Sequence, residues 1–225
     1  MKILILAAMD KELQLITSIL GSATAQTFEG ITIHFGKIGR HEVYVAKCGI
    51  GKVNSALSTY KLLKAISPEM VINSGVAGGA GLPIGNILLA DRVAYSDVWC
   101  GPGTQYGEAD GYPLFFQTSS KVLALKENGC LSDAVRTGLI CTSDKFISTA
   151  DEIKFIRSHF PDVCAVDMES ASIGQTCIME GVDFSIVRVV SDTPGEGENT
   201  SQYNDFWTDA PLKTFSTVRT IIENL

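Results

Sequence analysis

Short apolar runs alternate with amphipathic helical patterns from one end of this chain to the other, and the alternation restricts it to an α/β architecture. The runs Lys2 to Ala8, Met70 to Asn73, Val163 to Asp167 and Phe184 to Ser191 are the clearest strands, and the last is apolar on both sides, as a buried parallel strand requires. Further strands are expected at Ile31 to Gly36, Glu42 to Cys48, Asn86 to Tyr95 and Thr137 to Thr142, with an early hairpin from Ile31 to Cys48. Helical spacing falls at Lys11 to Leu20, Lys52 to Ala65, Ser120 to Lys126, Ala150 to Ser158, Ser170 to Met179 and Tyr203 to Glu223. The expected fold is a three-layer αβα sandwich around a central mixed, twisted sheet. Neither linker, repeat nor low-complexity tract interrupts the 225 residues, so one domain over residues 1–225 is expected.

Acids stand at the ends of three of these strands, where α/β proteins hold their ligands. In Ala165-Val166-Asp167-Met168-Glu169-Ser170, two carboxylates flank a methionine where a strand passes into a helix. A carboxylate can accept hydrogen bonds from adjacent sugar hydroxyls, so Glu169 is a candidate ribose clamp. The plainer alternative is that Asp167 and Glu169 only cap the following helix and complement its dipole. Asp192 ends the run Ile186 to Ser191 before a Pro/Gly loop, and Glu12 lies in the first helical turn after the first strand. Three acids converging on one crevice suit glycosidic cleavage, which needs an acid for the leaving group, a carboxylate to activate water and support for an oxocarbenium-like sugar. An Asp kept protonated by burial can be the acid and an ionised Glu the base.

Composition removes other classes. Lys and Arg total 18 against 25 Asp and Glu, a net charge of -7 without long runs of one sign, which argues against nucleic acid and acidic membranes as partners. Six cysteines form no C-x-x-C pair and are expected as reduced, buried thiols. His34, His41 and His159 lack the spacing of a zinc site, and no G-x-S-x-G elbow is present, so neither a catalytic metal nor a Ser/His/Asp hydrolase is expected. Gly49-Ile50-Gly51-Lys52 fails as a Walker A loop, because Ala46 and Val53 stand where Gly and Ser or Thr are needed. Four glycines between Gly75 and Gly81 suggest a ligand-lining loop after a strand. Asp10-Lys11-Glu12 follows the first apolar run at once, which reads as a strand rather than a signal peptide, and no segment has the length to span a bilayer. A cytoplasmic protein is expected.

Six blocks in order resemble the nucleoside phosphorylase/nucleosidase family, and within it the 5'-methylthioadenosine/S-adenosylhomocysteine nucleosidases. They are Ala8-Met9-Asp10-Lys11-Glu12, Cys48-Gly49-Ile50-Gly51-Lys52-Val53-Asn54, Ile72-Asn73-Ser74-Gly75-Val76-Ala77-Gly78-Gly79, Ser143-Asp144-Lys145-Phe146-Ile147, Val166-Asp167-Met168-Glu169 and Arg188-Val189-Val190-Ser191-Asp192. The resemblance spans nearly the whole chain. It implies hydrolysis of a purine nucleoside without a cofactor, with Asp192 donating a proton toward N7 of adenine and Glu12 activating water. Ser191 would orient Asp192, Arg188 would keep Glu12 ionised, and Glu169 would hold the ribose hydroxyls. Met168 would pack on the sugar, Phe146 would stack on the purine and the backbone of Ile147 would read its edge. Met9, Ile50, Val76, Ala77, Gly78, Asp167 and Tyr203 complete the implied substrate site. In relatives a neighbouring subunit supplies a loop to the 5'-group, which implies a homodimer with Tyr106 and Pro113 in that role.

Departures from the pattern keep other activities open. Asp167 stands where the family usually has Glu, Val76 where nucleosidases often have Ser, and the loop from Trp99 to Tyr112 is unlike the usual sequence. A nucleosidase for futalosine or aminofutalosine, or a non-catalytic nucleoside binder, is therefore an alternative. A phosphorylase is the further alternative, but it would need arginines for phosphate. The first loop here is Met9-Asp10-Lys11-Glu12, and no Arg lies between Arg40 and Arg92. Tyr203, Phe206 and Trp207 are expected to open the last helix, either as an apolar lid or as ordinary packing.

Overall fold

The first apolar run becomes β1 (Lys2–Ala7), and its two faces serve two different cores in the computed structural model, which describes residues 1–196, 199–207 and 212–225. Side chains alternate across a strand. Leu4 and Leu6 therefore join one apolar cluster while Ile3, Ile5 and Ala7 join another. The first is covered by α2 (Lys52–Ile66) and α5 (Ser170–Met179), through Leu62, Leu63, Ile66, Ala171, Ile173 and Cys177. The second lies under α1 (Asp10–Thr17), α3 (Ser120–Glu127) and α7 (Leu212–Asn224), through Ile16, Val122, Val218, Ile221 and Ile222. A smaller cluster seats Ile153 and Ile156 of α4 (Ala150–His159) on Leu139, Cys141, Val163 and Val166. Each buried Leu or Ile contributes roughly 1.5–3 kcal/mol, so tertiary burial rather than intrinsic propensity holds helices as short as α1 and α3.

The strands form one mixed sheet. β2 (Thr24–Phe28), β3 (Ile31–Ile38) and β4 (His41–Lys47) pair antiparallel in sequence, and β4 joins β1 in parallel. β1 then runs parallel to the first half of β5 (Met70–Gly79). The second half of β5 turns to β9 (Val163–Asp167), with Gly78 opposite Val166, while its other edge pairs in parallel with β10 (Asp183–Asp192). β10 pairs with β6 (Ile87–Tyr95), β6 with β8 (Val135–Thr142) and β8 with β9, so five strands close into a ring. β7 (Phe116–Gln117) adds to β6. A mixed sheet with helices on both sides matches the expected architecture; the ring is what brings the ends of β5, β9 and β10 together.

Four local expectations need correction. The glycine-rich stretch is the continuation of β5, not a loop: a Cβ on Gly75 would stand closer than 3.0 Å to Glu12 Oε1 and Arg188 Nη1, so the residue is small because side chains close over the strand. The expected last helix is two, α6 (Asn199–Phe206) and α7, and its residues 208–211 lie outside the described residues; Pro211, which has no N–H to continue a helix, falls in that interval. β2 and β7 were not expected, since β2 is exposed at all five residues and carries no apolar period, and β7 has only two. Of the cysteines, Cys48, Cys141 and Cys177 are buried and Cys164 is half-buried, but Cys100 and Cys130 lie exposed in the loops after β6 and α3; all six are free.

Candidate active site

Glu12 is placed by the way α1 begins. It is the third residue of the helix, and its side chain turns back over the first turn, so that Oε2 accepts from the backbone N–H groups of Ala8 (2.8 Å) and Met9 (3.1 Å). Oε1 accepts from the N–H of Val76 on β5 (2.9 Å). With three fixed donors its carboxylate is oriented, and it is 1% exposed. Burial pushes its pKa up, while the nearby Arg188 charge and the three backbone donors pull it down.

Asp192 ends β10 and is buried at the mouth of the strand. The hydroxyl of Ser191 donates to its Oδ1 (2.7 Å), the orienting role expected of that serine, and the amide of Asn199 donates to Oδ2 (3.4 Å). Burial raises its pKa against these two donors.

Glu169 caps the start of α5. Its Oε1 accepts from the N–H of Gly51 (3.1 Å), a residue at φ +89° that glycine adopts without strain and that brings the α2 loop against the carboxylate. Its Oε2 faces Arg188 Nη2 at 3.5 Å.

Arg188 and Asp167 form a buried pair beneath the cavity. Arg188 makes its ion pairs with Asp167 (2.8 Å) and Glu169 (3.5 Å), and acts on Glu12 through space. Asp167 lines the cavity wall, but its carboxylate is already occupied. Oδ2 takes Nε and Nη2 of Arg188 at 2.9 and 2.8 Å and the Ser170 hydroxyl, while Oδ1 takes the Thr142 hydroxyl at 2.6 Å and the N–H groups of Ser170 and Glu169. Its side chain therefore anchors Arg188 and holds the start of α5. Asn73 Oδ1 accepts from Arg188 Nη2 at 2.6 Å and completes the cradle. Three buried carboxyls thus surround one buried guanidinium, and full ionisation would leave an excess of negative charge in a dry site. Burial accordingly raises the pKa of Glu169 as well as that of Glu12.

These groups open on one cavity of about 160 Å³, lined by Glu12, Glu169, Ser191 and Asp192 together with Met9, Ile50, Val76, Ala77, Gly78, Phe146, Met168 and Tyr203. Phe146 is 43% exposed at its lip and meets Tyr203 edge to face at 5.7 Å, while the Tyr203 hydroxyl reaches Met9 Sδ at 3.3 Å. Tyr203 thus covers the cavity from α6, and Trp207 packs behind it at 6.0 Å. Ile147 lines a small adjoining lobe with Lys145, and its carbonyl accepts from Asn199 (3.5 Å). Tyr106 and Pro113 do not line the cavity of their own chain; Tyr106 stacks on His159 at 4.3 Å, and Pro113 is exposed.

Several residues of the site escaped the sequence. Asn73 carried a signal, since a polar side chain inside an apolar strand demands a buried partner. Thr142, Ser170 and Asn199 carried none, because their partners lie on other elements.

With a ring-closed mixed sheet that gathers acids into one crevice, the chain belongs to the phosphorylase superfamily, whose model matches residues 2–223. The 5'-methylthioadenosine/S-adenosylhomocysteine nucleosidase of Bacillus thuringiensis (strain Al Hakam) is 34% identical, with 100% of both chains covered. The structure is similar to that of the same nucleosidase from Streptococcus pneumoniae with the transition-state inhibitor MT-ImmA, at a TM-score of 0.93 and 33% identity over 100% of this chain and 99% of that one. It is also similar to a futalosine hydrolase mutant of Helicobacter pylori strain 26695, at a TM-score of 0.91 and 28% identity over 100% and 99%.

Proposed function

We propose that this protein hydrolyses the N-glycosidic bond of 5'-methylthioadenosine and S-adenosylhomocysteine, releasing adenine and a 5-thio-substituted ribose. The observation that carries this is the meeting of Glu12, Glu169 and Asp192 in one cavity, in a chain 34% identical over its full length to a nucleosidase of that activity. Asp192, its pKa raised by burial, gives its proton to N7 as the bond from N9 to C1' breaks and its electron pair passes to adenine. Glu12 removes a proton from water as the water oxygen bonds C1' of the oxocarbenium-like sugar. Glu12 lines the cavity that would hold the substrate and its water. Glu169 accepts from the ribose hydroxyls, and Phe146 and Met168 pack on base and sugar.

Water rather than phosphate is the nucleophile in this proposal. No Lys or Arg lines the cavity among the described residues, and Arg188 is committed to carboxylates. A phosphate dianion would meet Glu12 and Glu169 without a counter-charge. We further propose that two copies associate, with Tyr106 and Pro113 of one reaching the 5'-group in the other. Ile50 at the cavity lip and Val53, Leu57 and Tyr60 on α2 are exposed apolar residues that such a contact would cover. The proposed setting is the cytoplasm, where free thiols persist.

Adenine release from methylthioadenosine, S-adenosylhomocysteine and aminofutalosine tests the proposal in phosphate-free buffer and again with phosphate. Release from the thio-adenosines without phosphate is the expected result. Release only with phosphate would make the enzyme a phosphorylase. Preference for aminofutalosine would favour the second reading, which the similarity to futalosine hydrolase and Val76 support. Ligand binding without release would identify a non-catalytic binder.

A further inference from the structure

α6 presents one face to the cavity. Asn199, Gln202, Tyr203 and Phe206, at spacings of three, four and seven, are its buried or half-buried residues, while Thr200, Ser201, Asn204 and Asp205 are exposed. That face is stitched to the site along its length. Gln202 Oε1 accepts from the N–H of Thr193, next to Asp192, at 2.9 Å, and Tyr203 reaches Met9 and Phe146. Asn199 is the deepest member, 6% exposed, and spends its amide hydrogens on Asp192 Oδ2 at 3.4 Å and the Ile147 carbonyl at 3.5 Å.

We propose that Asn199 is a positioning residue for the proton donor, tying the seating of α6 over the cavity to the ease with which Asp192 releases its proton. The inference rests on the reading of Asp192 as the general acid. With Ser191 on Oδ1, Oδ2 is the oxygen that carries the proton, and it keeps a lone pair toward Asn199. As the proton leaves, negative charge grows on Oδ2, and an amide N–H already aimed there stabilises the developing charge more than the neutral acid. At 3.4 Å the contact has room to tighten as charge appears. Opening α6 would withdraw the donor, so proton transfer is favoured only when Tyr203 covers the site. Other ionisable groups face Asp192 across the cavity: Glu12 from α1, Asp167 from the end of β9, Glu169 just before α5, Tyr203 from α6 and Lys145 from the loop before α4. Among the described residues only Ser191 and Asn199 donate hydrogen bonds to its carboxyl group.

The test compares Asn199→Ala, Asn199→Asp and Asn199→Ser with the wild type, by two readouts. The first is the titration of the Asp192 carboxyl in the ligand-free protein by carbon NMR, its resonance assigned by loss in Asp192→Asn. Asn199→Ala should raise that pKa by about half to one unit, the near-isosteric Asn199→Asp by more, and Asn199→Ser by less. The second is the pH profile of adenine release. Because the acid works protonated, the alkaline limb of kcat should move up with the titration, while kcat at its optimum falls about 3- to 10-fold and KM changes less. If neither titration nor limb moves in Asn199→Ala and Asn199→Asp, and only KM rises, Asn199 merely anchors the helix and the proposal is overturned. Failure of the wild type to release adenine would sink the functional reading, yet the titration would still decide whether Asn199 governs Asp192.

Discussion

Glu12 and Asp192 are both buried carboxyls, and the kind of donor each meets explains why they take opposite parts in the proposed reaction. Glu12 is held by three backbone N–H groups that cannot rotate away, in the field of Arg188, and all four favour the ionised form against burial. Asp192 has only two side-chain donors against burial, with no cation among the influences on it. One is suited to accept a proton and the other to give one. Glu12→Gln is expected to retain a substrate analogue in calorimetry while adenine release falls by roughly 100-fold or more, and Asp192→Asn to bind similarly with turnover abolished. Turnover within about tenfold of wild type in either variant would remove the role assigned to that residue.

At the scale of elements, β5 is the part on which the site depends, because among the described residues it alone pairs with β1, β9 and β10 together. Its N–H at Val76 holds Glu12, and its Gly75 leaves room for Glu12 Oε1 and Arg188 Nη1 to approach the backbone together. Gly75→Ala would force both charged groups aside, and neither has slack, since each is fixed by several hydrogen bonds. The expected outcome is a loss of about 1–3 kcal/mol in denaturant unfolding together with collapse of kcat. The neighbouring Val76→Ser, which keeps the backbone donor, should leave stability nearly unchanged. If Gly75→Ala were as stable and active as wild type, the convergence of Glu12 and Arg188 above the strand would not matter to function.

For the molecule as a whole, the buried acids make stability depend on pH in a direction opposite to that of ordinary surface carboxylates. The folded pKa of Glu169 is raised from 4.5 to about 8, first by burial, so the stability it contributes is fully present below 4.5 and is lost as pH rises through about 8. Glu12 and Asp192 are shifted in the same direction. The thermal midpoint of the ligand-free protein should therefore fall as pH rises across that window, and Glu169→Gln should flatten the slope. A midpoint that climbs through the same range in wild type would show that the cluster does not hold its protons.

Period and residue type along the chain were enough to place eight of the strands and most of the helices, because burial on one face or two leaves a pattern among residues two to four apart. They were also enough to put Glu12, Glu169 and Asp192 at strand ends, and six ordered blocks pointed to their use. What they could not decide was which ends meet. Closure of β5, β9 and β10 into the ring joins residues far apart in sequence, as in the contact between Asn73 and Arg188, 115 positions apart. Packing of the elements made Asp167 the anchor of Arg188, recast the glycine run as a strand under two charged groups, and set Asn199 against Asp192. Local order is written by neighbours along the chain, whereas the partners of a buried charge are chosen by the packing of elements that no local pattern records.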